Sequence, residues 1–254
     1  MKRFYTMTLA LAGLTIAQGA FASPKPPSSA PVIVTAPVDL GAAFHFVLLT
    51  ETGITDVAPS VVVGTVGTSP ITGAADLLSC SEVTGSIYSV DAAGPAPCGK
   101  ISPTRLSNAI GDMHTAYTDA ASRTATTTEW NAGEIGGLTF PPGVYSWSSN
   151  VNIPSDIYLN GKGHDVWIFQ VAQNVTLANG VSVHLFGHAK SKNVFWQVAG
   201  AVTLGTTSHM EGIVLSKTMI SAATGAEIHG RLYAQTAVTL QKVTVVLPKG
   251  DLPL

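Results

Sequence analysis

Charge is what this chain has least of. Asp, Glu, Lys and Arg make up 11% of its 254 residues, less than half the usual share of about 25% in soluble domains. The 13 basic and 15 acidic residues leave a formal charge of −2. Nucleic acids and anionic membranes are held through clustered Lys and Arg, so neither is expected as a partner. Cysteine is nearly absent: only Cys80 and Cys98 occur. They form no CxxC and have no histidine nearby, which argues against a redox pair or half a metal site. The longest apolar stretch near the N-terminus, residues 8–17, is too short to span a bilayer. No phosphate loop, dinucleotide fingerprint, HExxH or nucleophile elbow is present, so no cofactor is expected.

The first 37 residues read as segments outside the fold. Lys2 and Arg3 precede the apolar stretch, and Ala20-Phe21-Ala22 has the small-x-small form of a cleavage site. Residues 1–22 are therefore expected to be a secretory signal peptide cut after Ala22. Ser23 stands where a lipoprotein would need cysteine. Residues 23–37 form a Pro/Ser-rich extended leader. Losing Lys2 and Arg3 lowers the basic count from 13 to 11 against 15 acids, so the exported chain is mildly acidic. In an oxidising compartment a Cys80–Cys98 disulfide is expected, and in the chain-entropy description it contributes about 3 kcal/mol.

What the chain has is a repeat. Residues 195–212, 213–230 and 231–248 stack as three lines with a period of 18 residues. Read down the columns, Val202, Ile220 and Val238 align, as do Met210, Ile228 and Val246, and the line-ending Gly212, Gly230 and Pro248. Like residues at a short fixed period mark a solenoid, whose coils each bury their apolar face on the next. Within a line, apolar and small polar residues alternate with the period of a half-buried strand. Val202 and Leu204 thus point inward, and Ala201 and Thr203 outward. Eighteen residues divide into three short strands with tight corners. Residues 168–177 and 144–153 repeat the pattern at offsets of 27 and 24, so loops are expected near 160–165 and 186–193. The expectation is a mostly β, three-sided solenoid occupying residues 38–250 as one domain.

Ser102-Pro103 opens the one convincing helix, over residues 102–123, with Leu106, Ile110, Met113, Tyr117 and Ala120 at three-to-four spacing. Its stripe is expected to pack on the side bearing Leu215, Tyr233, Ala199 and Ala172. Residues 71–100, rich in Gly, Ser and Ala, are read as a loop-like end cap stapled by the two cysteines, since an open solenoid end is an unpaired edge.

Two of the outward surfaces carry candidate chemistry. On one, His209 lies beside Glu227 and Glu211 beside His229, with His184 near by. Histidine and carboxylate suit zinc, but opposite charges on neighbouring strands of a solvated face explain the pattern equally. A polysaccharide hydrolase or lyase would use grouped acids, for which Asp156, Asp165, Glu134, Glu211 and Glu227 are the candidates; the aspartates fall in turns, where Asp is common anyway. The other surface has the outward columns Asn150, Asn174, Ala201, Met219, Ala237 and Asn152, Thr176, Thr203, Ser221, Thr239, bordered by Thr218 and Thr236. All are short and mostly neutral, and none is charged. Thr and Val simply suit strands, yet coils repeating every roughly 4.8 Å with outward residues every roughly 6.6 Å make a stiff grid of hydroxyls and methyls. That scale matches oxygen repeats on ice.

These segments also resemble a known family. Asp165-Val-Trp-Ile-Phe-Gln-Val-Ala172, Lys192-Asn-Val-Phe-Trp-Gln-Val-Ala-Gly200 and Gly230-Arg-Leu-Tyr-Ala-Gln-Thr-Ala-Val-Thr-Leu240 are similar to the microbial ice-binding (antifreeze) proteins. So are Ser69-Pro-Ile-Thr-Gly73 and Gly143-Val-Tyr-Ser-Trp147. The resemblance runs from about Val38 to Val246. It implies a right-handed, discontinuous β-solenoid with a long α-helix alongside, secretion by a cold-adapted microbe, and no catalysis. It implies an ice crystal surface as partner, with thermal hysteresis and inhibition of recrystallisation as consequences. It also implies that the N-terminal coil docks out of sequence order. Some members carry Thr-Ala/Gly-x-Thr/Asn on the contacting side. Thr236-Ala-Val-Thr239 and Thr52-Gly53-Ile-Thr55 match it, whereas Thr218-Met-Ile-Ser221, Gly200-Ala-Val-Thr203 and Gln173-Asn-Val-Thr176 depart from it. Nothing calls for an oligomer, so a monomer is expected. The competing reading is a polysaccharide-binding or cell-surface structural solenoid, which requires aromatic platforms on an exposed side. Trp147 and Trp196 fall in inward register.

Overall fold

The inward columns become the core. In the computed structural model, which describes residues 35–248, Val151, Val175, Val202, Ile220, Val238 and Ile54 follow one another across six parallel strands, each essentially solvent-free. The expected signal peptide, the leader up to residue 34 and residues 249–250 lie outside the described residues. The register read from the 18-residue columns is the observed one where Val202 opposes Ile220 and Ile220 opposes Val238. It slips by one in the last coil: Ile228 opposes Val245, not Val246, after the chain turns at Lys242 with φ 52°. Pairing is parallel throughout, and the chain closes no barrel, so the coils form a three-sided β-solenoid.

Aromatic residues fill the interior. Trp147, Trp167 and Trp196 are buried, and Phe169 stacks on Trp196 with ring centroids 4.1 Å apart. Each buried indole N–H needs an acceptor. Trp147 donates to Trp130 O at 2.8 Å, Trp167 to Phe140 O at 3.0 Å and Trp196 to Glu211 O at 3.1 Å. The large core side chains thereby tie one stretch of the coil to another.

The coils are not stacked in chain order. Leu48–Thr50 lies between Glu227–Ala234 and Val66–Thr68, and Gly53–Val57 adds to Ala237–Gln241, so the first coil docks on the last. The following residues build the cap at that end, and the chain must then return to begin the coils at 143. A helix does this: Pro103–Ser122, 20 residues, spans about 30 Å along the stack. Its buried stripe, Leu106, Ala109, Met113, Ala116 and Ala120, packs with Ile168, Phe195, Ile213, Leu215 and Tyr233. Ile110 and Tyr117 flank that stripe, partly buried. The buried Gln170 stops the helix by donating to Ala120 O at 2.8 Å and Arg123 O at 2.7 Å, two carbonyls with no partner inside the helix. Ser102 precedes the helix without a side-chain capping bond, and Pro103 supplies the N-terminal start.

Two expectations need correction. Leu215 and Tyr233 do lie under the helix, but Ala172 and Ala199 do not: each follows the last residue of a strand, Trp167–Val171 or Val194–Val198, where the chain turns the corner. The 71–100 segment is also more regular than a loop. Val83–Thr84 pairs with Val61–Val63, Ile87–Ser89 with Val66–Thr68, and Gly99–Ile101 with Ile87–Ser89. Strands of two or three residues are too short to show a period. The Cys80–Cys98 disulfide closes this cap with Cα atoms 5.7 Å apart.

Candidate functional site, the six-stranded face

The strands Val151–Ile153, Val175–Leu177, Val202–Leu204, Ile220–Ala222, Ala237–Gln241 and Gly53–Val57 form one parallel sheet in that order. Pairing is residue for residue, so Asn152, Thr176, Thr203, Ser221, Thr239 and Thr55 stand directly opposite one another in a single outward row. A second row of Asn150, Asn174, Ala201, Met219 and Ala237 runs beside it; Gly53, expected to continue it, pairs with Ala237 but is buried against Ala75. Bonds from Val151 N to Asn174 O (2.8 Å), Val175 N to Ala201 O (2.9 Å) and Val202 N to Met219 O (3.0 Å) keep that row in step. At roughly 4.8 Å per strand, the six coils extend about 24 Å. The helix packs on another side, leaving Thr55, Asn152, Thr176, Thr203 and Met219 exposed.

A profile of the family described as ice-binding-like matches residues 48–246. This chain belongs to that family. Over 212 residues it is 58% identical to an ice-binding protein of Colwellia sp., covering 83% of this chain and 84% of that protein. It is 55% identical to an ice-binding protein of Flavobacterium frigoris (strain PS1), covering 84% and 77%. Among solved structures, an ice-binding protein with antifreeze activity from an Arctic yeast superposes with a TM-score of 0.78 at 36% identity, covering 86% of this chain and 97% of that one.

In this ice-binding-like chain the face is less uniform than its letters. Asn150 Oδ1 accepts from Asn174 N (3.1 Å) and Nδ2 (3.2 Å), and Asn174 Oδ1 accepts from Ala201 N (2.8 Å). These two amide oxygens bind coil to coil, so they differ in role from the free hydroxyls of Thr176 and Thr203. Thr218 and Thr236 are half-buried at the corner. Thr236 O accepts the Glu51 and Thr52 amides at 3.2 and 3.1 Å, which docks the first coil and sets Thr52, itself exposed, beside the face.

Both ends of the outward row carry residues that the sequence pattern did not place there. Glu134 bridges in register with Asn152, whose Nδ2 donates to Glu134 Oε1 at 2.5 Å, so one carboxylate borders an otherwise uncharged row. At the far end Asp76 bridges with Ile54 and Leu77 N donates to Ile54 O at 2.9 Å, which puts Leu77, 58% exposed, after Thr55. Val57 and Met219 add two more exposed apolar side chains. Leu77 lies in the weakly periodic cap, where no column could align it.

Of the acids considered for catalysis, Glu211 and Glu227 come together at His209, and the others hold separate partners. Glu134 borders the six-stranded face, and Asp165 Oδ2 accepts Lys162 N within its loop at 2.7 Å. Asp156 binds His184 Nε2 at 2.9 Å, and that hydrogen bond holds its carboxyl below the usual range. His184 stacks on Tyr158 at 5.3 Å, so these rings turn their faces to each other. Glu211 Oε1 lies 2.9 Å from His209 Nε2 and 3.2 Å from His229 Nδ1, and His209 Nδ1 lies 3.6 Å from Glu227 Oε2. The hydrogen bond to Glu211, more than the opposing burial, raises the His209 pKa. Among the described residues, no helix is long and apolar enough to cross a membrane.

Proposed function

We propose that this chain is a secreted, non-enzymatic ice-binding protein that adsorbs through the six-stranded face. The observation that carries the reading is the row Asn152, Thr176, Thr203, Ser221, Thr239 and Thr55, six coils in unbroken register with no charged side chain inside it. Membership of the ice-binding-like family and the named relatives support it. Secretion rests on the signal-peptide pattern of residues 1–22 and agrees with a disulfide, which persists in oxidising compartments.

The mechanism follows from stiffness and number. Thr and Ala lose little rotamer entropy on contact, whereas a long charged side chain loses about 1.5–2 kcal/mol and resists giving up its water. A grid of hydroxyls and methyls orders its own first water layer at spacings a crystal can continue. Each contact is weak, but all sit on one rigid body, so release requires many to break together. Ice between adsorbed molecules must then grow as a curved front, which lowers its freezing point and slows recrystallisation.

Thr203→Tyr, at the centre of the row, is the test. The larger ring props the neighbouring coils away from the crystal, and because position 203 faces solvent the fold is retained. Thermal hysteresis is expected to fall by most of its value with an unchanged circular dichroism spectrum. Full activity in a folded Thr203→Tyr protein, and likewise in Ala237→Tyr, rejects the face. Trp147 and Trp196 are both buried and offer the polysaccharide-binding reading no platform; Tyr158 and Phe186, with ring centroids 5.7 Å apart and Phe186 52% exposed, are the pair it would have to use.

A further inference from the structure

Two histidines and two glutamates meet on a different side of the solenoid. Where His209–Ser216 pairs with Glu227–Ala234, His209 opposes Glu227 and Glu211 opposes His229. The Glu211 side chain is only 13% exposed, and its Oε1 lies within hydrogen-bond distance of both His209 Nε2 and His229 Nδ1. With those nitrogens donating to Glu211, the ring nitrogens left to bind an ion are His209 Nδ1, which lies 3.6 Å from Glu227 Oε2, and His229 Nε2. The two rings stand perpendicular with centroids 4.5 Å apart. One ring nitrogen of each histidine and one Glu227 carboxylate oxygen all lie within 4.8 Å of one another.

We propose that His209, Glu227 and His229 form a binding site for one divalent transition-metal ion of the zinc type, with Glu211 orienting both imidazoles. The donor set argues the class of ion: two imidazoles and a carboxylate suit Zn2+, Cu2+ or Ni2+, whereas Ca2+ and Mg2+ require oxygen ligands. Three protein ligands leave a fourth, solvent position on a tetrahedral ion. Ligand atoms around such an ion are roughly 3.3 Å apart, so from separations within 4.8 Å the partly exposed His229 and Glu227 side chains need to close by at most about 1.5 Å. Glu211 is the carboxylate behind the ligand that histidine–metal sites use to hold ring orientation. Its charge and that of Glu227 together balance a 2+ ion. The two strands carrying the ligands are locked in register by the solenoid, so little backbone freedom is lost on binding.

Isothermal titration with ZnCl2, on protein purified without a polyhistidine tag and stripped with a chelator, tests the site. One ion per chain is expected, with Kd below about 10 µM. His229→Ala and Glu227→Gln, both at solvent-accessible positions, are each expected to weaken binding at least tenfold. Glu211→Gln is expected to weaken it about tenfold through loss of ring orientation. His114→Ala, on the helix, and Thr203→Tyr, on the six-stranded face, are expected to leave it unchanged. Circular dichroism in chelator confirms that each variant is folded. Absence of one-to-one binding below millimolar Zn2+, or binding that folded His229→Ala and Glu227→Gln both retain, overturns the proposal and leaves the four residues as ion pairs.

Discussion

Asp76 is a carboxyl group placed where the pattern calls for a hydrocarbon. It follows Ile54 in the inward column of the end coil and is buried, with Oδ1 accepting Leu78 N at 3.2 Å and Oδ2 without a partner among the described residues. Burial raises its pKa from 3.8 to about 6, opposed only by that one backbone bond. A folded value above the unfolded one means that ionisation is penalised in the native state. The penalty is small below pH ~4, grows through the interval between the two values, and is complete above pH ~6. Its full size follows from the difference between 3.8 and about 6 and is about 3 kcal/mol. Asp76→Asn removes the penalty and keeps the acceptor for Leu78. The variant is therefore expected to be about 3 kcal/mol more stable than wild type at pH 7.5, or roughly 6–12 °C in Tm for a chain of this size. The gap is expected to narrow to roughly half a kcal/mol at pH 4. Calorimetry of both proteins at pH 4, 5, 6 and 7.5 measures it, and comparing the pair cancels the other carboxylates. A variant no more stable at pH 7.5, or a gap that does not close on acidification, refutes the reasoning. Because the group points inward, thermal hysteresis is expected to be unchanged.

The Cys80→Ser/Cys98→Ser double variant is expected to lose about 3 kcal/mol in denaturant unfolding, from freeing an 18-residue span of the cap, while keeping thermal hysteresis. Leu77→Lys places a hydrated, flexible charge at the end of the outward row. It is expected to lower thermal hysteresis less than Thr203→Tyr does, since it disturbs only the last coil; a loss as large as at position 203 argues for a contact centred on the cap.

Much of this molecule was legible from local pattern. The two-residue alternation in Ala201-Val-Thr-Leu204 names which side chains are buried, and the 18-residue columns name which residue sits above which until the last coil, where Val245 and not Val246 lies beside Ile228. Val202, Ile220 and Val238 needed no structure to be aligned. The helix stripe from Leu106 to Ala120 was legible for the same reason. Other features depended on contacts between distant parts of the chain. Thr55 extends the row only because the first coil docks on Thr239, some 184 residues later. Leu77 and Glu134 border the face through isolated bridges that no period announces. The exposed asparagines differ in what they bind: the Asn150 and Asn174 amide oxygens accept from the neighbouring coil, and Asn152 donates to Glu134.

Sequence alone determined the coil, because burying one face of a strand and stacking like on like are short-range demands that every repeat states again. Tertiary structure decided the order of the coils and the edges of the face, because two unpaired edges join wherever backbone and apolar surface match, whatever length of chain lies between them.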